Sequence, residues 1–252
     1  MPVNPRFGCL ATPRHGFSLI EILVVISIIA LLIGILVPAL AGGQEQARKL
    51  ANSQQLRSIQ QGLVAFAQQN RGWYPGLTSA GGEVAAADIT GDYDSGGANG
   101  ADPRARNAIL LNGNYIQRET LVAPRDDGVN QLAGPGTVNE DSSSYAMLQL
   151  TLSGTLTDAQ QARYAEWRET TNPEAIVLSD RNLLRVGAGV TLQSISTDND
   201  SDKWESTAVG NDGSANYEND HEIDVRYGSE PLETDDHIFA PGAADSDAIL
   251  EH

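Results

Sequence analysis

Polar residues are nearly absent from one stretch of the chain and periodic in the next. Ile22 to Val37 reads ILVVISIIALLIGILV, with Ser27 its single polar residue. Extended from Phe17 to Ala41, the stretch covers 25 residues with one charge, Glu21. A helix rises ~1.5 Å per residue and a bilayer core is ~30 Å thick, so about 20 residues span it. In lipid an isolated span must satisfy its backbone internally, which makes it helical despite its many β-branched residues. From Gln44 to Asn70 the pattern changes: Leu56, Ile59, Leu63 and Phe66 recur at helical spacing, with Gln, Asn and Arg on the other face. Such a stripe must pack on something, most simply a sheet. Gly42-Gly43 loosens the helix between the two stretches, and a kink or local melting is expected near Gly34–Pro38. Asn70 to Gly72 gives a stop and Trp73-Tyr74-Pro75-Gly76 a turn. Helical throughout, Phe17–Asn70 is ~80 Å long.

Beyond Gly76 the elements are shorter. Thr78–Asp102, rich in Gly, Ala, Asp and Ser, reads as a long loop. Short helices are expected within Pro103–Tyr115 and over Thr157–Glu169, the latter capped by Thr157 or Asp158 and stopped before Pro173. Strands are expected at Leu121–Pro124, Ser144–Leu152, Glu174–Ser179, Leu183–Ile195 and Glu222–Tyr227, where Ile223, Val225 and Tyr227 alternate onto one face. Arg125–Ser142 is turn-rich, and the tail after Gly228 reads as acidic and irregular. No internal repeat is present.

Charge sharpens this division. The 252 residues carry 16 Lys plus Arg against 33 Asp plus Glu, a formal net charge of −17. Up to Arg57 there are five basic residues (Arg6, Arg14, Arg48, Lys49, Arg57) against two acidic ones (Glu21, Glu45), which leaves 11 basic and 31 acidic residues after it. A membrane-type segment is thus followed by an acidic soluble one, and no nucleic-acid partner is expected. The single cysteine, Cys9, excludes an internal disulfide and a Cys-x-x-Cys pair, and it precedes the apolar run where a lipidated cysteine would follow one.

Three readings compete for the N-terminus. In a cleaved signal peptide, Arg6, Arg14 and His15 form the basic end and Ala39-Leu40-Ala41 the cleavage site, but the apolar run exceeds the usual ~7–15 residues. For a plain membrane anchor, basic residues on both sides leave the orientation undecided. Neither reading uses Glu21, although ionisable groups in lipid usually have a partner and a task. Gly16-Phe17-Ser18-Leu19-Ile20-Glu21, preceded by a short basic leader and followed by the apolar run, resembles the cleavage and methylation motif of type IV prepilins and type II secretion pseudopilins. The resemblance implies that a prepilin peptidase cuts after Gly16 and that the new amine of Phe17 is methylated. It makes Glu21 the assembly glutamate, the fifth residue counted from Phe17, and Pro38 the helix-breaking proline that the family often carries. Tyr145-Ala146-Met147, Val177-Leu178-Ser179-Asp180-Arg181-Asn182 and Asn219-Asp220-His221-Glu222-Ile223 occur in this order in a large group of bacterial pilin-like proteins. The histidine that group sometimes carries upstream of Asp-Gly is Asp202 here.

Other chemistry is sparse. Asp198-Asn199-Asp200-Ser201-Asp202 places carboxylates at alternate positions, as calcium loops do, and some major pseudopilins bind calcium in a C-terminal loop. An EF-hand also requires glycine at Lys203 and glutamate at Val209. Asp198, Asp200 and Asp202 are therefore weighed as calcium ligands against the plainer reading of a solvated acidic turn, which is preferred. Asp88, Asp92 and Asp94 form a weaker set. His221 and His237, beside Asp220 and Asp236, lack a third ligand at metal spacing. No nucleophile elbow, phosphate-binding loop, zinc-protease helix or dinucleotide fingerprint is present, and no enzyme activity is expected. Trp73, Trp167 and Trp204 read as core or rim packing ahead of glycan binding.

Together these readings predict an α+β, pilin-like fold: a long N-terminal helix whose C-terminal half packs on a small antiparallel sheet. They divide the chain into a leader (1–16), a transmembrane and assembly helix (17–41), an amphipathic helix (42–72) and an acidic domain (73–252). The expected function is a filament subunit, a type II secretion pseudopilin ahead of a type IV pilin. Its expected partners are prepilin peptidase, copies of itself and other pilin-like subunits. It is expected to cross the inner membrane once, with its C-terminal domain in the periplasm or exported in a filament. The alternative is an anchored or secreted acidic domain, binding glycan or calcium, that uses the N-terminus only for export.

Overall fold

In the computed structural model, the apolar run and the amphipathic stretch form one α-helix, α1, Leu19–Gln69. The structure describes residues 18–89, 100–126, 138, 142–150, 156, 158–181, 195, 204–220, 222–227, 233–237 and 250–251. By its internal contacts the chain divides into two units, Met1–Ala47 and Arg48–His252.

Within the first unit, α1 is exposed along its length, from Leu19 at 89% to Leu40 at 61%. It is long and apolar enough to cross a membrane. The local melting expected near Gly34–Pro38 does not occur: helix is continuous through Gly34, Pro38 and Gly42-Gly43. Proline removes one ladder hydrogen bond and crowds the carbonyl four residues earlier. That carbonyl belongs to Gly34, whose backbone is free of side-chain constraint, and intact turns on either side hold the segment.

Within the second unit, α1 buries Asn52, Leu56, Ile59, Gln60, Gly62, Leu63 and Ala67. Leu56, Ile59 and Leu63 have no exposed surface, and burying each is worth about 1.5–3 kcal/mol. Phe66, expected on the same stripe, is half-buried and meets the edge of Tyr115 at 5.5 Å. The helix ends as its sequence dictates. Arg71 and Gly72 take positive φ (55° and 89°), and the Gly72 N–H returns to the Ala67 carbonyl.

The stripe packs into a core shared with an antiparallel sheet of order β4-β3-β2-β1-β7. Its strands are β1 (Tyr145–Leu148), β2 (Ile176–Asp180), β3 (Ser206–Gly210), β4 (Ala215–Glu218) and β7 (Leu250–Glu251). A separate ribbon pairs β5 (Glu222–Val225) with β6 (Glu233–His237). Two short helices, α2 (Pro103–Asn112) and α3 (Asp158–Glu166), complete the unit with 3-10 turns at Ala86–Asp88 and Arg118–Leu121. The Asp102 carboxylate caps α2 by accepting from the Arg104 N–H. Arg106 on α2 is wholly buried. It donates to the carbonyls of Gly100, Ala101 and Leu148 and lies over the Trp167 ring at 4.7 Å.

Two expectations need correction. Leu121–Pro124 is not a strand: the Ala123 N–H donates to Ser144 Oγ and the Ser144 N–H to the Leu121 carbonyl, a pairing too irregular for a ladder. The tail after Gly228 is not wholly irregular, since it supplies β6 and β7. Strands β3 and β4 were not anticipated. They form a hairpin whose turn, Asn211 to Ser214, carries Gly213 at positive φ (82°). Of the strand expected over Leu183–Ile195, all but Ile195 lies outside the described residues.

Candidate functional site

The residues assigned to processing and assembly sit at the start of α1. Gly16 and Phe17 lie outside the described residues, and description begins at Ser18. The Ser18 N–H donates to Glu21 Oε2 at 2.8 Å, and Ser18 Oγ accepts from the Ile20 N–H at 3.4 Å. This is a capping box, in which serine and glutamate three residues apart satisfy donors that a helix start leaves without partners. The spacing Ser-x-x-Glu that makes it is legible in the sequence. Glu21 is thus the only charge on a stretch of helix that otherwise presents apolar side chains outward. Such a surface is stable only against lipid or other helices.

A second polar cluster lies in the other unit, where α1 meets the sheet. Asn52 Nδ2 donates to both oxygens of Asp180, at 2.8 and 3.0 Å, and the Thr207 N–H donates to Asp180 Oδ2 at 2.8 Å. The Tyr145 hydroxyl donates toward Asn52 Oδ1 at 3.0 Å and Gln55 Oε1 at 2.9 Å. Next along the chain, Arg181 makes a two-bonded pair with Asp126 at 2.6 and 2.8 Å. Thus two residues of the Ser-Asp-Arg-Asn segment fix α1 and the 118–126 stretch to the sheet. Sequence could mark the segment but not its burial.

The ligand candidates fare unevenly. Asp198, Asp200, Asp202, Asp92, Asp94, His221 and Cys9 lie outside the described residues. Among the described residues, no group of three His, Cys, Asp or Glu side chains is placed to hold a metal ion. Trp167 and Trp204 are buried, and Trp167 Nε1 donates to the Pro75 carbonyl at 2.8 Å. Trp73 is half-buried, packed beside Tyr164 and covered by the Arg168 guanidinium at 5.0 Å. No tryptophan ring is left as an open platform for a sugar.

Comparison with protein families places a motif on the segment that leads into α1. The chain carries the prokaryotic N-terminal methylation motif over residues 12–37. This is the prepilin signal of type IV pilins and pseudopilins. It covers Gly16, Phe17 and Glu21 and ends one residue before Pro38. With the long apolar helix and the antiparallel sheet, it accounts for an α+β, pilin-like arrangement. The motif implies processing by a prepilin peptidase and pilin-like assembly. No curated protein and no solved structure matches the chain.

Proposed function

We propose that the chain is a structural subunit of a bacterial pilin-like filament, cut after Gly16 and N-methylated on Phe17. The observation that carries this reading is the methylation motif running into an outward-facing apolar helix that opens with Glu21. Cleavage creates an ammonium at Phe17, and methylation keeps it charged. The Glu21 carboxylate of a neighbouring copy neutralises it, so both charges leave water as a pair and fix the register between subunits. Contacts of this head-to-tail kind do not close on themselves, so they build a filament rather than a ring. Before assembly the helix holds the subunit in the inner membrane, with the acidic domain on the periplasmic side.

A type II secretion filament is preferred over an adhesive pilus. The only cysteine, Cys9, falls in the leader, so the mature chain lacks the cysteine pair of pili stabilised by a C-terminal disulfide loop.

The test is Glu21→Gln. Glutamine also serves in a capping box, so the variant keeps the helix start and removes only the charge. Filament yield should collapse while membrane insertion stays normal. Filaments at the wild-type level would count against the proposal.

A further inference from the structure

A groove of about 430 Å³ lies between the packed part of α1 and the loop that follows α2. Ligand clefts run to roughly 300–1,000 Å³, so the groove has room for a small molecule. Its floor exists because Gly62 has no side chain, which lets Ile116 lie against the helix where a Cβ would be. The loop turns back at Asn114, which takes a positive φ (56°) that asparagine accepts, and the Tyr115 N–H closes the turn on the Leu110 carbonyl at 2.9 Å. The Tyr115 ring is wedged in place. It fills the space that a Cβ on Gly113 would need, 2.3 Å from Tyr115 Cε2, and meets Phe66 edge-on at 5.5 Å. The walls carry Ser58 and Gln61 from α1, and Asn114, Tyr115, Gln117 and Thr120 from the loop side.

The walls narrow the class of ligand. No charged side chain lines the groove, although the chain has a formal net charge of −17. A bound cation would find no carboxylate there, and an anion would find no guanidinium or ammonium to offset the surrounding negative field. Ile116 is the one aliphatic side chain in the lining, too little for a lipid tail. An extended peptide is held by main-chain bonds to a strand edge, and no described strand borders the groove.

What remains is a set of neutral hydrogen-bonding groups without partners. The side-chain amides of Gln61, Asn114 and Gln117 and the hydroxyls of Tyr115 and Thr120 make no hydrogen bond among the described residues. Each amide offers two donors and an acceptor, and each hydroxyl donates and accepts. A molecule dense in hydroxyl groups and free of charge matches that set, because each of its hydroxyls also donates and accepts. The fixed Tyr115 ring adds a rigid surface whose placement costs no further ordering on binding.

We propose that this groove binds a neutral oligosaccharide. Gln61, Asn114 and Gln117 hold its hydroxyl groups, and the Tyr115 ring packs on the C–H face of one sugar. The groove lies wholly within the Arg48–His252 unit, so the proposal does not depend on filament assembly.

The test is nitrogen-15 NMR of the full chain in phosphocholine micelles, whose headgroups carry no sugar, with the side-chain amides as reporters. The probes are maltotetraose, cellotetraose and chitotetraose, each titrated to about 10 mM, enough to reveal millimolar binding. At least one should shift the amides of Gln61, Asn114 and Gln117 saturably. A response to chitotetraose alone assigns an N-acetylated sugar chain, and a response to either of the others a plain hexose chain. Gln61→Ala and Gln117→Ala, both at exposed positions, should each weaken binding by roughly threefold or more. No saturable shift with any of the three sugars would overturn the proposal, as would binding unweakened in both variants. A stronger response of the same amides to a blocked tetra-alanine peptide would overturn it in favour of a peptide ligand.

Discussion

At the start of α1 the Glu21 carboxylate accepts from the Ser18 N–H, so in the lone chain it caps its own helix. In the proposed filament the same carboxylate faces the Phe17 ammonium of a neighbour, and two substitutions separate the proposed roles. Glu21→Gln should leave amide protection at Ser18–Leu23 near the wild-type level. Glu21→Ala should weaken it by about 0.5–2 kcal/mol, the usual worth of a cap, as read by hydrogen exchange in micelles. The buried pair of Arg181 and Asp126, with side chains 9% and 2% exposed, makes a second prediction at this scale. Arg181→Met removes the guanidinium from the buried Asp126 carboxylate, and chemical denaturation should register a loss of about 3–5 kcal/mol. Residues such as these were only half legible in the sequence. The motif around Glu21 is local and could be read directly. Asp180 and Arg181 could be singled out as a segment, but nothing local says that one is held by a helix 128 residues earlier in the chain.

The long helix and the short elements α2, α3, β1, β2 and β5 could be read, and β3, β4, β6 and β7 could not, for a physical reason. The period of Leu56, Ile59 and Leu63 over two turns specifies the packed part of α1, and α2, capped by Asp102, and α3 fall inside the helical stretches expected of them. Strand β3, Ser-Thr-Ala-Val-Gly, is buried on both faces and so shows no alternation to read. Strand β6, Glu-Thr-Asp-Asp-His, is acidic at three of its five positions, and its pairing with β5 overrides propensity. Close approaches between elements were equally invisible. A Cβ added at Gly62 on α1 would lie 2.5 Å from Ile116 Cγ2 and 3.2 Å from the Tyr115 carbonyl oxygen. Gly62→Ala should therefore cost about 1–3 kcal/mol by overpacking, although alanine favours helix. Gly76 combines positive φ (94°) with a Cβ position 2.0 Å from the Gly100 carbonyl oxygen. Gly76→Ala should lower the melting temperature more than Gly62→Ala does, since a carbonyl cannot move aside as a side chain can. Parallel thermal melts of the two variants check the order.

For the whole molecule, an exposed apolar helix and an acidic domain with its own core suit a subunit that lives first in a bilayer and then in a bundle of like helices. In the proposed function, cleavage after Gly16 converts one state into the other. It is tested most directly by intact mass and terminal peptide sequencing of the protein extracted from native cell envelopes. The account predicts a chain that begins at Phe17 and carries a methyl group on its α-amine. A chain beginning at Gly42, after cleavage at Ala39-Leu40-Ala41, or one still beginning at Met1, would contradict it.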